Sequence, residues 1–179
     1  GLIQAARQAN PNAVLIYKPH PDVEAGLRPG KLDPTSLTSL VQHVASNTDP
    51  MALLDAVDEM WTMTSLLGFE ALIRGKPVTC LGAPFYAGWG LTTDLGPIPE
   101  RRLRAADGHP LPRPSLLALV HAALIAYPRY YDPISRRPCP PEVVVERLAT
   151  GSLTPRGLGL RLLAKLQGRF ATHARLWRR

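Results

Sequence analysis

The chain has 179 residues, of which 45% are hydrophobic and 20% are charged. These values suit a folded domain of ordinary size and exclude a fibrous repeat, a wholly disordered chain and a mini-protein. No run approaches the roughly 18 consecutive apolar residues of a membrane span, and no basic and apolar leader opens the sequence, so we expect a cytoplasmic protein. Cys80 and Cys139 fit neither a zinc site nor a disulfide framework, and we expect both thiols to be reduced.

The net charge of +7 is unevenly distributed along the chain. Residues 1–150 contain 14 Lys and Arg and all 14 Asp and Glu, whereas residues 151–179 contain seven basic residues and no acid. We therefore expect one neutral domain over 1–150, followed by a basic tail over 151–179. A nucleic-acid-binding protein is suggested only by this tail, and the neutral domain argues against it.

The first half of the sequence alternates predicted helices and strands. A helix is predicted over 2–8, and the apolar run 13–17 predicts a central parallel strand that is buried on both faces. A short helix over 36–41 and a short strand over 43–46 follow. Asp49 and Pro50 then have the cap and first-turn positions of a helix that extends to about residue 57.

The second half repeats this pattern. Strands are predicted over 60–63 and 77–81, and helices over 66–74, 114–127 and 142–148, with a long loop over 83–112. The alternation predicts an α/β fold, with a Rossmann-like, mostly parallel sheet flanked by helices. Ligands of such sheets bind beyond the carboxyl ends of the strands, where we expect three loops to converge.

The first of these loops contains Lys18 and His20 between two prolines that restrict the backbone. An ammonium and an imidazole in a rigid frame favour an anionic ligand, although a lone histidine that caps a strand end is an alternative. The second loop places Thr64 and Ser65 at a helix start, where a phosphate or simple helix capping would suit them. Glu70, further along that helix, either contacts sugar hydroxyls of a nucleotide or lies on a solvated face.

The third loop combines aromatic residues with glycines that allow close backbone approach to a ligand. Its candidate binding residues are Tyr86, Gly88, Trp89 and Gly90, although Phe85 and Trp89 could instead cover the sheet edge. The sequence contains no dinucleotide or P-loop fingerprint, no nucleophile elbow and no metal-ligand cluster. We therefore predict neither a metal site nor a cofactor.

Several motifs together resemble a known family, in order and in spacing. They are YKPHPDV at 17–23, TMTSLLGFEAL at 62–72, GKPVTC at 75–80, PFYAGWGLT at 84–92 and PCPPEV at 138–143. Over about residues 1–150 the chain resembles the capsule polysaccharide synthesis proteins that transfer Kdo, 3-deoxy-D-manno-octulosonic acid. The resemblance implies a retaining β-Kdo transferase that uses CMP-Kdo on a lipid-linked Kdo acceptor, for capsules exported by an ABC transporter.

The resemblance also implies roles for single residues. By this resemblance the chain would correspond to the nucleotide-binding, C-terminal half of a GT-B-like enzyme, and its partner would be the upstream half. By motif, His20 would contact the CMP phosphate or the Kdo carboxylate, Thr64 and Ser65 the phosphate, and Glu70 the ribose, while the loop from Tyr86 would line the donor cleft. The family's Asp nucleophile lies upstream of the first motif and has no match here, so we expect the chain to be part of a larger enzyme and name no nucleophile.

The tail has the pattern of a basic amphipathic helix. Apolar residues from Leu162 to Trp177 fall on one stripe, with basic residues largely opposite. Such a helix suits peripheral contact with an anionic inner membrane, and packing against the upstream domain is an equal alternative. Two further readings of the whole chain stay open, namely a non-catalytic nucleotide- or polysaccharide-binding module and a sialic-acid-type or α-type CMP-sugar transferase.

Overall fold

A computed structural model describes residues 1–27, 29–30 and 32–152 of the chain. The predicted tail helix lies outside the described residues. The helices are α1 (Leu2–Ala9), α2 (Pro21–Glu24), α3 (Pro34–Thr38), α4 (Pro50–Ala56), α5 (Leu67–Ile73), α6 (Leu116–His121) and α7 (Pro141–Ala149). The strands are β1 (Ile16–Tyr17), β2 (His43–Val44), β3 (Met60–Thr62), β4 (Val78–Cys80), β5 (Thr93–Asp94), β6 (Tyr131–Asp132) and β7 (Arg137–Pro138).

Parallel pairing dominates the strands of the described chain. β1 pairs with β2, and β4 lies between β3 and β5 in a second parallel sheet, while β6 and β7 form an antiparallel hairpin. Helix α1 contacts β3, and the side-chain amide of Asn10 at its end donates to Oε1 of Glu59, the residue before β3, at 3.0 Å. The predicted α/β class with helices around parallel strands is confirmed, although the strands are divided between two sheets.

The predicted burial of the first strand is wrong. Val14 is 65% exposed and Ile16 is 37% exposed, and the regular strand spans only Ile16–Tyr17. β1 pairs with β2 alone among the described strands, so little chain is available to cover its faces. The strand that is buried throughout is β4, because β3 and β5 flank it and α5 packs against it.

The core forms around β4 and α5. Its buried side chains include Phe69 and Leu72 from the helix, Val78 and Cys80 from the strand, and Leu119 from α6. The apolar residues of α5 recur at helical spacing, so one face of this helix is directed at the sheet. This packing fixes the segment between β3 and α5, which contains Thr64 and Ser65.

Helix boundaries follow the capping signals in the sequence. The Asp49 carboxylate accepts hydrogen bonds from the backbone N–H groups of Met51 and Ala52 at 3.3 and 3.1 Å, and Ser115 Oγ accepts from Ala118 at 3.1 Å. After α6 the chain continues as a π-helical turn, Ala122–Ala126. The predicted helix over 114–127 is thus present, with a change of helix type within it.

The loop predicted over 83–112 contains regular structure that the sequence reading missed. β5 lies within it, and a 3-10 turn follows at Glu100–Arg102. The hairpin of β6 and β7 was also missed, and α2 lies where a loop was expected. Among the described helices, none combines the length and apolar character that a membrane crossing needs.

Candidate functional site

His20 lies just beyond the end of β1, where it begins helix α2. Its Nδ1 accepts a hydrogen bond from the backbone N–H of Asp22 at 3.1 Å, so the proton of the neutral imidazole is on Nε2. The side chain is half exposed. His20 therefore caps the start of a helix rather than the end of a strand, and its binding role stays a prediction.

Lys18 is part of an ion pair rather than an isolated cation. Its Nζ lies 3.2 Å from Glu24 Oε2, and Glu24 Oε1 accepts from the backbone N–H of Asn47 at 3.2 Å. Burial acts to raise the pKa of Glu24, but the hydrogen bonds from Lys18 and Asn47 outweigh it and hold the pKa below its usual value. The carboxylate therefore joins the loop after β1 to the loop after β2, and it compensates the charge of Lys18.

Thr64 and Ser65 lie exposed at the carboxyl end of β3. The Thr62 hydroxyl accepts from the backbone N–H of Ser65 at 3.2 Å, and Ser65 Oγ accepts from the N–H of Leu67 at 3.2 Å. The Ser65 hydroxyl can still donate to a ligand while it accepts this bond. Ser65 thus accepts a hydrogen bond from the first turn of α5, although the cap residue of this helix is Leu66 rather than Thr64 or Ser65, and both Thr64 and Ser65 are exposed.

Glu70 is engaged on the side of α5. Its Oε2 lies 3.2 Å from Arg74 Nη1, and Arg74 Nε lies 3.3 Å from Asp55 Oδ1 of α4. These contacts connect two neighbouring helices at a partly exposed position. Contact between Glu70 and a ribose would require the carboxylate to exchange Arg74 for sugar hydroxyls.

Tyr86 is placed differently from the sequence-based prediction. Its side chain is fully buried, and its hydroxyl donates to the backbone carbonyl of Ser65 at 2.5 Å. Its ring centroid lies 6.1 Å from that of Phe69 and 5.3 Å from that of Phe85. Tyr86 thus belongs to the core and positions Ser65, because an aromatic ring with a nearby carbonyl acceptor is more stable buried than facing a cleft.

The thiol of Cys80 lies beside Tyr86 in this core. Burial, followed by the negative charge of Asp94, raises the pKa of Cys80 to about 11, and burial likewise raises the pKa of Tyr86. Both groups are therefore protonated at neutral pH. Since the thiolate is the nucleophilic form of cysteine, Cys80 has a packing role.

The glycines of the third loop border a cleft of about 390 Å³. Gly88, Trp89 and Gly90, which the sequence singled out, lie along it with Thr92 and Asp94. The Asp94 carboxylate accepts from the backbone N–H of Gly88 at 2.9 Å and from the hydroxyl of Thr92 at 2.7 Å. Gly88 and Gly90 have φ values of +85° and +79°, which explains why this loop requires glycine.

The opposite side of the cleft was not predicted. It is formed by Arg102, Leu103 and the segment 110–113. Trp89 is held in place because its indole N–H donates to the carbonyl of Phe85 at 2.8 Å. Arg102 and Arg113 belong to no recognisable sequence motif. Their nearness in sequence to the aromatic loop is the one signal that could have indicated them.

Of the three loops predicted to converge, the second and the third are in direct contact. The bond between Tyr86 and Ser65 joins them, and Gly82 packs against the Met63 carbonyl. Among the described residues, no hydrogen bond or ion pair connects the first loop to either of them. Of the predicted site residues, six do not line the cleft, namely Lys18, His20, Thr64, Ser65, Glu70 and Tyr86. In the described part of the chain, His, Cys, Asp and Glu side chains form no group that could hold a metal.

Comparisons with known proteins agree with the motifs. The sequence model of a family described as capsule polysaccharide biosynthesis protein matches residues 1–130. The chain is 48% identical over 132 residues to the capsule polysaccharide modification protein LipA of Neisseria meningitidis, which covers 74% of this chain and 18% of that protein. It is 47% identical over 129 residues to the lipopolysaccharide-processing protein LpsZ of Rhizobium meliloti, covering 72% of this chain and 27% of that protein.

Two solved structures are also similar. The beta Kdo 2,7 transferase of Thermosulfurimonas dismutans KpsC aligns with a TM-score of 0.68 and 38% identity, covering 85% of this chain and 46% of that chain. The beta Kdo 2,4 transferase of the same KpsC aligns with a TM-score of 0.66 and 38% identity, covering 82% of this chain and 43% of that chain. The chain thus spans about a fifth to a quarter of the curated relatives and less than half of either solved chain.

Proposed function

Because this chain belongs to the capsule polysaccharide biosynthesis protein family, we propose that it is the donor-nucleotide-binding part of a β-Kdo glycosyltransferase. Its donor is CMP-Kdo, and its acceptor is a lipid-linked Kdo chain of a capsule linker. The observation that supports this most strongly is the 38% identity with a Kdo transferase over 85% of the chain. The rest of the longer protein supplies the nucleophile of the retaining reaction.

His20 is the residue that we assign to the leaving phosphate. When the bond between the anomeric carbon of Kdo and the phosphate oxygen breaks, CMP leaves with the electron pair, and negative charge accumulates on the phosphate. An N–H donor directed at that charge stabilises the transition state. The fixed tautomer of His20, with Nδ1 occupied by Asp22, presents Nε2–H for this purpose.

The surface hydroxyls of Thr64 and Ser65 complete the phosphate contacts in this proposal. They lie at the carboxyl end of β3, which is the usual ligand edge of a parallel sheet. Glu70 binds the ribose after release from Arg74, and the backbone of Gly88 and Gly90 borders the donor cleft. Hydroxyl and imidazole donors offset the leaving-group charge without a metal.

The first test is an amide NMR titration of the chain with CMP, with UDP as the control ligand. We compare wild type with His20→Asn, because asparagine preserves the acceptor that caps α2 but lacks the Nε2–H group. His121→Ala, an exposed histidine at the end of α6, controls for loss of an imidazole elsewhere.

CMP should give saturable shifts that UDP does not reproduce, and His20→Asn should weaken CMP binding about tenfold, as expected for one hydrogen bond to a charged group. His121→Ala should bind like wild type. Equal CMP affinity in wild type and His20→Asn would contradict the assigned role. CMP-specific shifts without transfer activity in the longer protein would favour the non-catalytic binding module instead.

A further inference from the structure

Arg113 borders the cleft opposite the glycine loop and has no charge partner there. It is exposed, and within the described residues its guanidinium forms neither a hydrogen bond nor an ion pair. Its side chain lies against the backbone of Gly90, since a Cβ added at position 90 would be 2.8 Å from Arg113 Cδ and 3.3 Å from its Nη1. The donors of a guanidinium are thus held beside the cleft and are available to a ligand.

The second cationic group of the cleft, Arg102, has a different set of contacts. Its Nη1 donates to the carbonyls of Pro84 and Ala87 at 2.5 and 3.1 Å, and these hydrogen bonds stabilise the backbone of the aromatic loop. Carbonyl oxygens satisfy these donors without neutralising the charge, and no carboxylate pairs with Arg102 in the described chain. Among the described residues that line the cleft, Asp94 is the single acid, so two positive charges face one negative charge.

The remaining wall of the cleft suits a sugar ring. Its lining includes the aromatic side chain of Trp89 and the apolar side chains of Leu103, Pro110 and Pro112. The Asp94 carboxylate already accepts from Gly88 and Thr92, which fixes its orientation while leaving lone pairs for a hydroxyl donor. A planar guanidinium binds a carboxylate through two parallel hydrogen bonds, whereas an aromatic ring with apolar neighbours binds the carbon face of a sugar.

The geometry points to a binding site for the carboxylate of an acidic sugar in this cleft, with Arg113 as the residue that selects it. This inference deepens the proposed function and rests on it for the identity of the sugar as Kdo. The phosphate contacts assigned above involve His20, Thr64 and Ser65, none of which lines the cleft. Arg113 is therefore a specificity-determining residue for the sugar acid. Because the carboxylate and the phosphate of CMP-Kdo are bonded to the same anomeric carbon, Arg113 acts on the neighbouring group of the same donor, and the bond from Tyr86 to Ser65 connects the glycine loop to the phosphate residues.

The test is isothermal titration calorimetry of the chain with free Kdo and with Kdo methyl ester, a matched ligand whose carboxylate is neutralised. The variants are Arg113→Gln, Arg113→Lys and Arg129→Gln; Arg129 is an exposed arginine that does not line the cleft. Wild type should bind Kdo more tightly than its ester. Arg113→Gln should weaken Kdo binding about tenfold or more, Arg113→Lys should recover part of the loss, and Arg129→Gln should change nothing.

Two results would overturn the inference. One is Kdo binding that is absent from wild type or unaffected by Arg113→Gln, and the other is an equal loss for Kdo and its ester. A third arm titrates CMP into Arg113→Gln, and a loss confined to CMP would show that the guanidinium holds phosphate instead. If His20→Asn weakens CMP binding while Arg113→Gln leaves Kdo binding unchanged, this inference fails and the proposed function stands. If Arg113→Gln weakens Kdo binding while His20→Asn leaves CMP binding unchanged, the nucleotide assignment fails and the carboxylate site in the cleft stands.

Discussion

Gly68→Ala should destabilise the protein, although the same change in an exposed helix would stabilise it by about 1 kcal/mol. Gly68 lies in the first turn of α5, where an added Cβ would be 2.2 Å from Tyr86 Oη and 2.8 Å from Cζ. Relief of this overlap requires the Tyr86 ring to move within the core, and the bond from Tyr86 to Ser65 breaks as it does so.

The expected magnitude combines three contributions. Overpacking of a core costs about 1–3 kcal/mol, and a polar group left without its partner costs about 1–3 kcal/mol. Set against the gain of about 1 kcal/mol in helix propensity, the free energy of unfolding should fall by about 1–5 kcal/mol. Urea denaturation followed by tryptophan fluorescence measures this change directly.

A double-mutant cycle with Tyr86→Phe supplies the control. The phenylalanine variant removes the hydroxyl that the new Cβ would meet, so the two changes should cost less together than the sum of their separate costs. A Gly68→Ala protein as stable as wild type, or strict additivity in the cycle, would refute the claim that Tyr86 excludes a side chain at this position.

Three further predictions concern other parts of the chain. Arg147 donates to the buried Asp132 and holds the pKa of that carboxyl well below its usual range. The stability that this pair contributes is therefore present above about pH 4 and is lost as the pH falls further. The difference in Tm between wild type and Asp132→Asn should therefore shrink below that pH, and a difference independent of pH would contradict the pairing. Iodoacetamide at pH 8 should label Cys139 in the native protein and reach Cys80 only after denaturation, since burial raises the pKa of Cys80 to about 11; peptide mass mapping distinguishes the two sites. If the basic tail is a membrane anchor, the chain should float with anionic liposomes and lose this binding without residues 155–179; equal flotation of both forms would exclude the anchor and favour packing against the upstream domain.

Local signals in the sequence predicted most of the helices and the order of the elements. Asp49 and Ser115 accept the hydrogen bonds expected of helix caps, and Gly75 ends α5 with a φ of +70°. These signals work because each depends on neighbouring residues only. β5 was missed because a strand of two residues exists only through its pairing with β4, which no local pattern encodes.

Burial and exposure were harder to predict than secondary structure. Val14 and Ile16 are as apolar as a buried strand, yet they are exposed because few elements of the described chain pack against β1. Tyr86 and Trp89 stand three positions apart in one glycine-rich loop, but the first lies in the core and the second borders the cleft. Arg113 resembles any solvated arginine in sequence, and only its position against Gly90 distinguishes it.

The contacts of Glu24 also affect how the loop after β1 meets a ligand. By holding Lys18 and the backbone of Asn47 at once, this carboxylate orders the segment that carries His20 before any ligand arrives. A preorganised loop loses little conformational entropy on binding. Because Glu24 already compensates the charge of Lys18, long-range attraction between Lys18 and an anionic ligand adds little. The affinity of such a ligand for His20 should therefore depend on hydrogen-bond geometry and change only weakly with ionic strength.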